Sequence, residues 1–175
     1  DFQSEEVSLS ATSIRLFGPS SIAIEVDDDL YFSDYIHGLL YASKVHSGAL
    51  LVLAGRGMPV DAGIASTTSL AFHSGRLFFS DELSKRVRFI DLGTGKLGVL
   101  AGTGEFGSDG DGGPAVAASL DPGALAVDAT GNVFVVDRAG LSVRKIDAAT
   151  GEISTVAGNG SGESSGDGGP AILAG

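Results

Sequence analysis

The stretch Gly131-Asn-Val-Phe-Val-Val-Asp137 decides the fold, because similar stretches occur twice earlier in the chain. Leu30-Tyr-Phe-Ser-Asp34 and Phe78-Phe-Ser-Asp81 end on the same carboxylate, with spacings of 47 and 56 residues (81 − 34 and 137 − 81). The same two spacings separate three turn glycines, Gly48, Gly95 and Gly151. An internal repeat of roughly 40 to 50 residues is typical of propeller blades and solenoid units.

Each repeat divides into four short strands. In the first repeat we predict strands over residues 21–26, 30–34, 39–45 and 49–54, and the later repeats follow the same order, with second strands over 77–81 and 133–137. The 27 glycines and the short apolar runs favour strands joined by tight turns. Four strands at this period form the blade of a radial β-propeller, so we predict an all-β fold with three four-stranded blades.

The repeats also divide the chain. We predict an N-terminal strand or extension (1–15), repeat 1 (16–63), repeat 2 (64–120), and repeat 3 with a lead into a further blade (121–175). Residues 7–12 are expected to form an edge strand, either belonging to a preceding blade or exchanged with a neighbour. An arc of three blades exposes two apolar faces, so we expect further blades, supplied by the same chain or by other chains.

Four segments of the third repeat resemble the NHL repeat: Gly131 to Asp137, Val143-Arg-Lys-Ile-Asp147, Ser154-Thr-Val-Ala-Gly158 and Gly166-Asp-Gly-Gly-Pro-Ala171. The resemblance is good in the second repeat and weaker in the first, and it covers roughly residues 16–175. It implies blades of a propeller that typically has six, in a family used mostly for protein binding and sometimes for RNA binding or catalysis.

The composition narrows the range of possible functions. With 22 acidic and 11 basic residues the formal net charge is −11, which argues against a nucleic-acid partner, because such partners are bound by clustered Lys and Arg. The absence of cysteine excludes thiol catalysis, Cys-ligated zinc and disulfides. No apolar run approaches the ~20 residues of a membrane helix. The compartment stays open, with an extracellular, periplasmic or lumenal location favoured.

Repeated residues are expected to be scaffold, since a propeller has many blades and normally one active centre. Asp34, Asp81 and Asp137 end a strand in every repeat, where a carboxylate can accept backbone N–H groups of the following turn. The turn glycines of the three repeats are assigned the same structural role. The alternative function for the acids is a ring of carboxylates around a channel mouth.

The glycine-rich loops contain the metal candidates Asp109, Asp111 and Asp167. Asp-x-Asp-Gly spacing is used by calcium loops, but further ligands and a later bidentate acid do not follow. We therefore favour turn geometry, in which glycine supplies positive φ and proline fixes the entry to the next strand. We expect no cofactor and no metal.

The remaining polar residues are assigned solvent-exposed or structural roles. The histidines His37, His46 and His73 are expected to be solvated turn residues, although a zinc or calcium role alongside an acid is the alternative. Arg88 and Arg144 are expected to face solvent and to pair locally with Asp91 and Asp147. The apolar layer is expected to contain Leu30, Phe32, Phe78, Val133 and Val135 on one alternating face.

These observations predict a non-catalytic propeller segment, a protein-binding scaffold or structural subunit of a larger assembly. No Ser-His-Asp order or paired-carboxylate signature is visible in the sequence. The alternative is a segment of a six-bladed propeller enzyme, a metal-dependent lyase or hydrolase whose centre is completed by further blades. The expected partners are proteins or further blades, without nucleic acid or membrane.

Overall fold

The computed structural model describes residues 14–25, 28–44, 49–55, 64 and 66–175, together with the backbone of residues 9–10. These residues form 13 strands in three antiparallel sheets. Four strands in each sheet follow one another in sequence order, which is the blade arrangement of a β-propeller. The predicted all-β fold with three four-stranded blades is confirmed.

The strand bounds are close to those predicted. Blade 1 contains β2 (Pro19–Ile24), β3 (Leu30–Asp34), β4 (Leu39–Lys44) and β5 (Ala49–Gly55). Blade 2 contains β6 (Thr67–His73), β7 (Arg76–Asp81), β8 (Arg86–Asp91) and β9 (Lys96–Ala101). Blade 3 contains β10 (Pro122–Val127), β11 (Val133–Asp137), β12 (Ser142–Ile146) and β13 (Ile153–Ala157).

The N-terminal edge strand has a different partner from those expected. The backbone of β1 (Leu9–Ser10) pairs antiparallel with β5, with Leu9 opposite Leu50 and Ser10 opposite Ala49. It therefore adds a fifth strand to the outer edge of its own first blade, and the expectation of a strand from a preceding blade or a neighbour is wrong. The rest of the predicted strand, residues 7–8 and 11–12, lies outside the described residues.

Apolar side chains fill the space between consecutive blades. One buried cluster joins blade 1 to blade 2, and includes Tyr31, Leu40, Leu77 and Phe79. A second joins blade 2 to blade 3, and includes Phe78, Val87, Leu120, Val133 and Val135. A third covers the other face of blade 1, where Ile14 and Leu16 pack against Phe32, Tyr41 and Leu50.

The predicted single apolar layer is wrong for Phe78. Val133 and Val135 lie on the face of blade 3 that contacts blade 2, and the equivalent residues of β7 are Leu77 and Phe79. Phe78 lies on the opposite face of β7, where it contacts blade 3. A blade between two others buries both faces, so strict alternation does not mark one inner side.

Serine hydroxyls join the innermost strands of neighbouring blades at equivalent places. The Ser21 hydroxyl accepts the Leu70 backbone N–H at 2.9 Å, and the Ser69 hydroxyl accepts the Leu125 N–H at 3.0 Å. In addition, the Ser80 hydroxyl donates to the Gly123 carbonyl oxygen at 2.5 Å. These bonds use backbone groups on the inner edge of each blade, which has no further strand beside it.

The antiparallel order gives the blades two different ends. At one end, which we name the upper end, lie the turns 35–38, 82–85 and 138–141 and the connection 102–121 from blade 2 to blade 3. At the other, the lower end, lie the described turns after the first and third strands, which are 74–75, 92–95, 128–132 and 147–152, with residues 25 and 28–29 in blade 1. The acids Asp34, Asp81 and Asp137 close their strands at the upper end.

Candidate functional site

Three buried carboxylates occupy equivalent positions at the upper end. Asp34, Asp81 and Asp137 are all completely shielded from solvent. The Asp137 carboxylate accepts the backbone N–H groups of Asp121 at 3.0 Å and Ala139 at 3.2 Å, and the Ser108 hydroxyl at 2.9 Å. Such a carboxylate fixes both the following turn and the incoming connection.

Each of these carboxylates also has a basic partner within its blade. Arg144 reaches Asp137 at 3.3 Å, and Arg88 reaches Asp81 at 3.1 Å. Blade 1 has Tyr41 at the arginine position, since Tyr41 pairs with Phe32 in the same register in which Arg144 pairs with Val135. In blade 1 the His37 ring is the basic partner instead, and its Nδ1–H donates to Asp34 at 3.0 Å.

The electrostatics of Asp34 follow from this arrangement. Burial raises the pKa of its carboxyl, but hydrogen bonds from the His37 ring and from the backbone N–H groups of Phe17 and His37 outweigh burial. The pKa of Asp34 is therefore held below its ordinary value. His37 sits in the turn 35–38, half exposed, so it is a turn residue with a structural contact that spacing alone did not reveal.

Arg144 also joins blade 3 to the connection that arrives from blade 2. Its side chain has no exposed surface, and its Nε and Nη2 groups donate to one oxygen of Asp111 at 3.0 and 2.7 Å. The remaining donors reach the carbonyl oxygens of Ser119 at 2.9 Å and Asp109 at 3.1 Å, and the Asp137 carboxylate. All five guanidinium N–H groups are thus used.

The second oxygen of Asp111 completes this contact, which we name the inter-blade clasp (Asp111, Arg144 and Thr155). It accepts the backbone N–H of Thr155 on β13 at 2.8 Å. Burial raises the pKa of Asp111, but the hydrogen bonds from Thr155 and Arg144 outweigh burial and hold the pKa below its ordinary value. A carboxylate in the connection is thereby tied to two strands of the following blade.

The predicted local pairing of the arginines is wrong. Arg144 is buried and binds acids that lie before it in the chain, while Asp147 binds Lys145 at 2.9 Å. Asp91 instead accepts the backbone N–H of Thr94 at 2.9 Å, and Arg76 lies 3.7 Å away. The shared spacing of 56 residues for Arg88 and Arg144, and for Asp111 and Asp167, shows that the members of each pair occupy equivalent positions of the repeat.

The metal candidates are placed as follows. Asp111 belongs to the clasp although its side chain is 45% exposed, whereas Asp109 and Asp167, which are exposed as well, contribute no carboxylate contact to it. Over the described ranges no group of three His, Asp or Glu side chains is arranged to hold a metal ion. His73 ends β6, whereas His46 and Gly48 lie outside the described residues.

Within the part of the chain that the structure describes, no helix is long and apolar enough to cross a membrane.

The two ends of the blades differ in exposed apolar surface. At the upper end, large apolar side chains protrude from all three turns and from the segments beside them, with Leu83 and Phe106 each 68% exposed. Six of these side chains are Phe17, Tyr35, Ile36, Leu83, Phe106 and Leu141, and Val116 in the connection 102–121 is exposed as well. None of the large exposed apolar residues falls in the described turns of the lower end, which carry Asp, Glu, Ser, Thr, Asn, Gly and Ala and one half-buried apolar residue, Leu92. At the lower end of β2, Ile24 is 61% exposed.

Polar contacts hold this apolar surface in place. The Lys85 ammonium lies 5.6 Å from the Phe106 ring, and Lys85 also binds Asp121 at 2.6 Å. Arg138 joins the same network by reaching Asp121 at 3.2 Å and Glu82 at 2.7 Å. The turns of blades 2 and 3 are thereby linked across the blade boundary.

Comparison with known proteins places the fold. No family model matches the chain, and no curated protein matches it. A protein of unknown function from Bacteroides thetaiotaomicron is similar, with a TM-score of 0.70 and 20% identity over 89% of this chain and 39% of that one. A gluconolactonase from Xanthomonas campestris gives 0.61 and 17% over 82% and 48%. A chain of a nidogen/laminin complex gives 0.59 and 19% over 79% and 46%.

These similarities support the fold alone. The chain has the architecture of part of a β-propeller, and it spans less than half the length of these three structures. The neighbours include an enzyme and a component of a protein complex, so they leave the activity of the whole protein to proposal.

Proposed function

We propose that this chain is the NHL-type segment of a β-propeller that binds a protein partner through its upper end. The observation that carries the proposal is the contrast between the two ends: six large apolar side chains are exposed at the upper end. Exposed apolar groups gathered within a polar surrounding are typical of protein-binding surfaces, in which aromatic residues are enriched.

The polar groups at the upper end make structural contacts, and this supports a binding role. Asp137, Asp111 and Arg144 bind one another and backbone groups, and Asp34 binds His37. These contacts order the turns and connections that display the apolar surface. A rigid scaffold carrying exposed loops is the arrangement that binding proteins commonly use.

The proposal is tested by site-specific photocrosslinking of the full-length protein in its native source. A photoreactive residue replaces Leu83 at the upper end or, as the matched control, exposed Ala149 at the lower end. We expect a crosslinked protein from position 83 alone, and its loss when Phe106→Glu is added but not when Thr130→Glu is added. Equal crosslinking from both ends, or none from position 83, would contradict the proposal.

A segment of a propeller enzyme, such as a metal-dependent lyase or hydrolase, is the second candidate. The fold similarity to a gluconolactonase favours it, as does the His37 ring oriented by buried Asp34 at the upper end. Metal analysis of the full-length protein separates the two candidates. Stoichiometric zinc or calcium bound at the ring centre would favour the enzyme.

A further inference from the structure

The loop 166–175 has the same conformation as the loop 110–119. Gly166 and Gly168 have φ of 87° and 77°, close to the 96° of Gly110 and the 78° of Gly112. Each loop continues into a 3-10 turn, Ala115–Ala117 or Ala171–Leu173. Each turn accepts equivalent backbone bonds at 3.0 and 2.9 Å from its own blade: Gly102 and Thr103 to Ala115 and Ala118, and Gly158 and Asn159 to Ala171 and Ala174.

The first of these loops binds the blade that follows it. Besides Asp111 in the clasp, its backbone extends the outer edge of blade 3 through bonds to residues 151–153. Gly112 N–H donates to the Ile153 carbonyl at 2.8 Å, Ile153 N–H donates to that of Gly113 at 3.0 Å, and Ala115 N–H donates to that of Gly151 at 2.9 Å. The loop therefore recognises two strands of a blade by charge and by backbone pairing.

The second loop presents the same groups without those contacts. The Asp167 carboxylate has no hydrogen bond or ion pair among the described residues, and it is exposed. The Gly168 and Ala171 N–H groups and the Gly169 carbonyl likewise have no backbone partner there. Beside the loop, Val136, Leu141, Val143 and Ala157 line an open crevice of about 270 Å³. The equivalent place beside Val87 and Ala101 in blade 2 is filled by buried Leu120.

We infer that the Asp167 loop and this face of blade 3 bind a further four-stranded blade, connected in series with residues 159–175, whose third strand carries an arginine. The spacing of the first contact fixes where that arginine lies: Arg144 follows Asp111 by 33 residues, and Thr155 follows it by 44. The corresponding groups therefore follow Asp167 by about the same intervals. An apolar residue in the role of Leu120 fills the crevice.

A second copy of this chain does not fit as the occupant. Its blade 1 has Tyr41 at the arginine position, so the Asp167 carboxylate would meet no guanidinium there. A carboxylate that is covered by protein without a cation or a hydrogen-bond donor loses its hydration, and no other contact compensates for that loss. Charge complementarity thus selects a blade that resembles blade 3.

The inference is tested by appending a copy of residues 120–175 after Gly175, which places a copy of Arg144 33 residues after Asp167. Asp167→Ala is measured in the 175-residue chain and in the four-blade variant, with Asp111→Ala as the matched control. We expect Asp167→Ala to leave the urea midpoint unchanged in the shorter chain. In the four-blade variant it lowers the midpoint as much as Asp111→Ala, and Arg144→Met in the appended copy alone abolishes that effect.

Amide hydrogen exchange gives a second readout that does not depend on cooperative unfolding. Gly168 and Ala171 are expected to exchange rapidly in the 175-residue chain and at least tenfold more slowly with the appended blade, at the level of Gly112 and Ala115. Equal exchange in both chains, or an equal effect of Asp167→Ala in both, overturns the inference. So does a stable dimer of the 175-residue chain that Asp167→Ala dissociates, because a second copy would then be the occupant.

Discussion

Replacing Arg144 by methionine tests the inter-blade clasp most directly. The change keeps much of the side-chain volume but removes five N–H donors, two of which bind Asp111 and one of which binds Asp137. Asp137 has no exposed surface, so it is left as a buried carboxylate without its guanidinium. Removing one partner of a buried ion pair costs about 3 to 5 kcal/mol, a large fraction of the stability of an ordinary domain.

Urea denaturation measures this cost. With a slope of about 2 kcal/mol per molar urea, the midpoint is expected to fall by roughly 1.5 to 2.5 M. The matched control is Arg138→Met, whose side chain is 40% exposed and binds Glu82 and Asp121 near the surface. Pairs of that kind contribute about 1 kcal/mol or less. If Arg144→Met shifted the midpoint no further than Arg138→Met, the clasp would have no role in joining the blades.

Three further predictions concern the core and the connecting loop. Phe78→Ala should cost about 3 to 5 kcal/mol in urea unfolding, because the ring is buried between blades 2 and 3; a change below about 1 kcal/mol would contradict this packing. Gly112→Val should cost about 1 to 3 kcal/mol through backbone strain, since its φ is 78° and no atom of the described residues lies within 4 Å of an added Cβ; a melting temperature equal to that of the unchanged chain would refute it. Asp111→Asn should weaken the dependence of the free energy of unfolding on pH in the acid range. The folded-state pKa of Asp111 is lowered, so its carboxylate contributes stability that is present above the unfolded pKa of about 3.9 and is lost as pH falls through the folded pKa. An unchanged ratio of urea midpoints at pH 7 and pH 3 would argue against this prediction.

The strands and their repetition are properties of the sequence. A run such as Val133 to Asp137 is identified as a strand by its β-branched and aromatic residues and by the turn that follows. The turn glycine Gly151 has φ of 72°, a conformation that residues with a Cβ rarely adopt, so its position is marked locally as well. Three local patterns in one register were enough to predict three blades.

The candidate site was only partly visible in the sequence. The sequence identifies Asp137 as a position shared by all blades and Asp111 as a loop acid. It predicts that their common partner, Arg144, faces solvent, because an arginine on an alternating strand ordinarily faces water. A comparison of the blades held the missing signal: where Tyr41 replaces arginine, His37 occurs in the turn beside the acid.

Contacts between blades were decided by the tertiary structure. Arg144 and Asp111 lie 33 residues apart, and nothing in either local sequence states that they meet. Alternation also could not tell which face of a strand contacts which neighbour, since Phe78 and Phe79 are both buried, on opposite faces of one blade. The sequence by itself determined the four-stranded repeat, because the strands and turns of one blade depend on residues that are close together in the chain. The tertiary structure decided the interfaces and the apolar upper end, because these depend on how one unit is placed against the next.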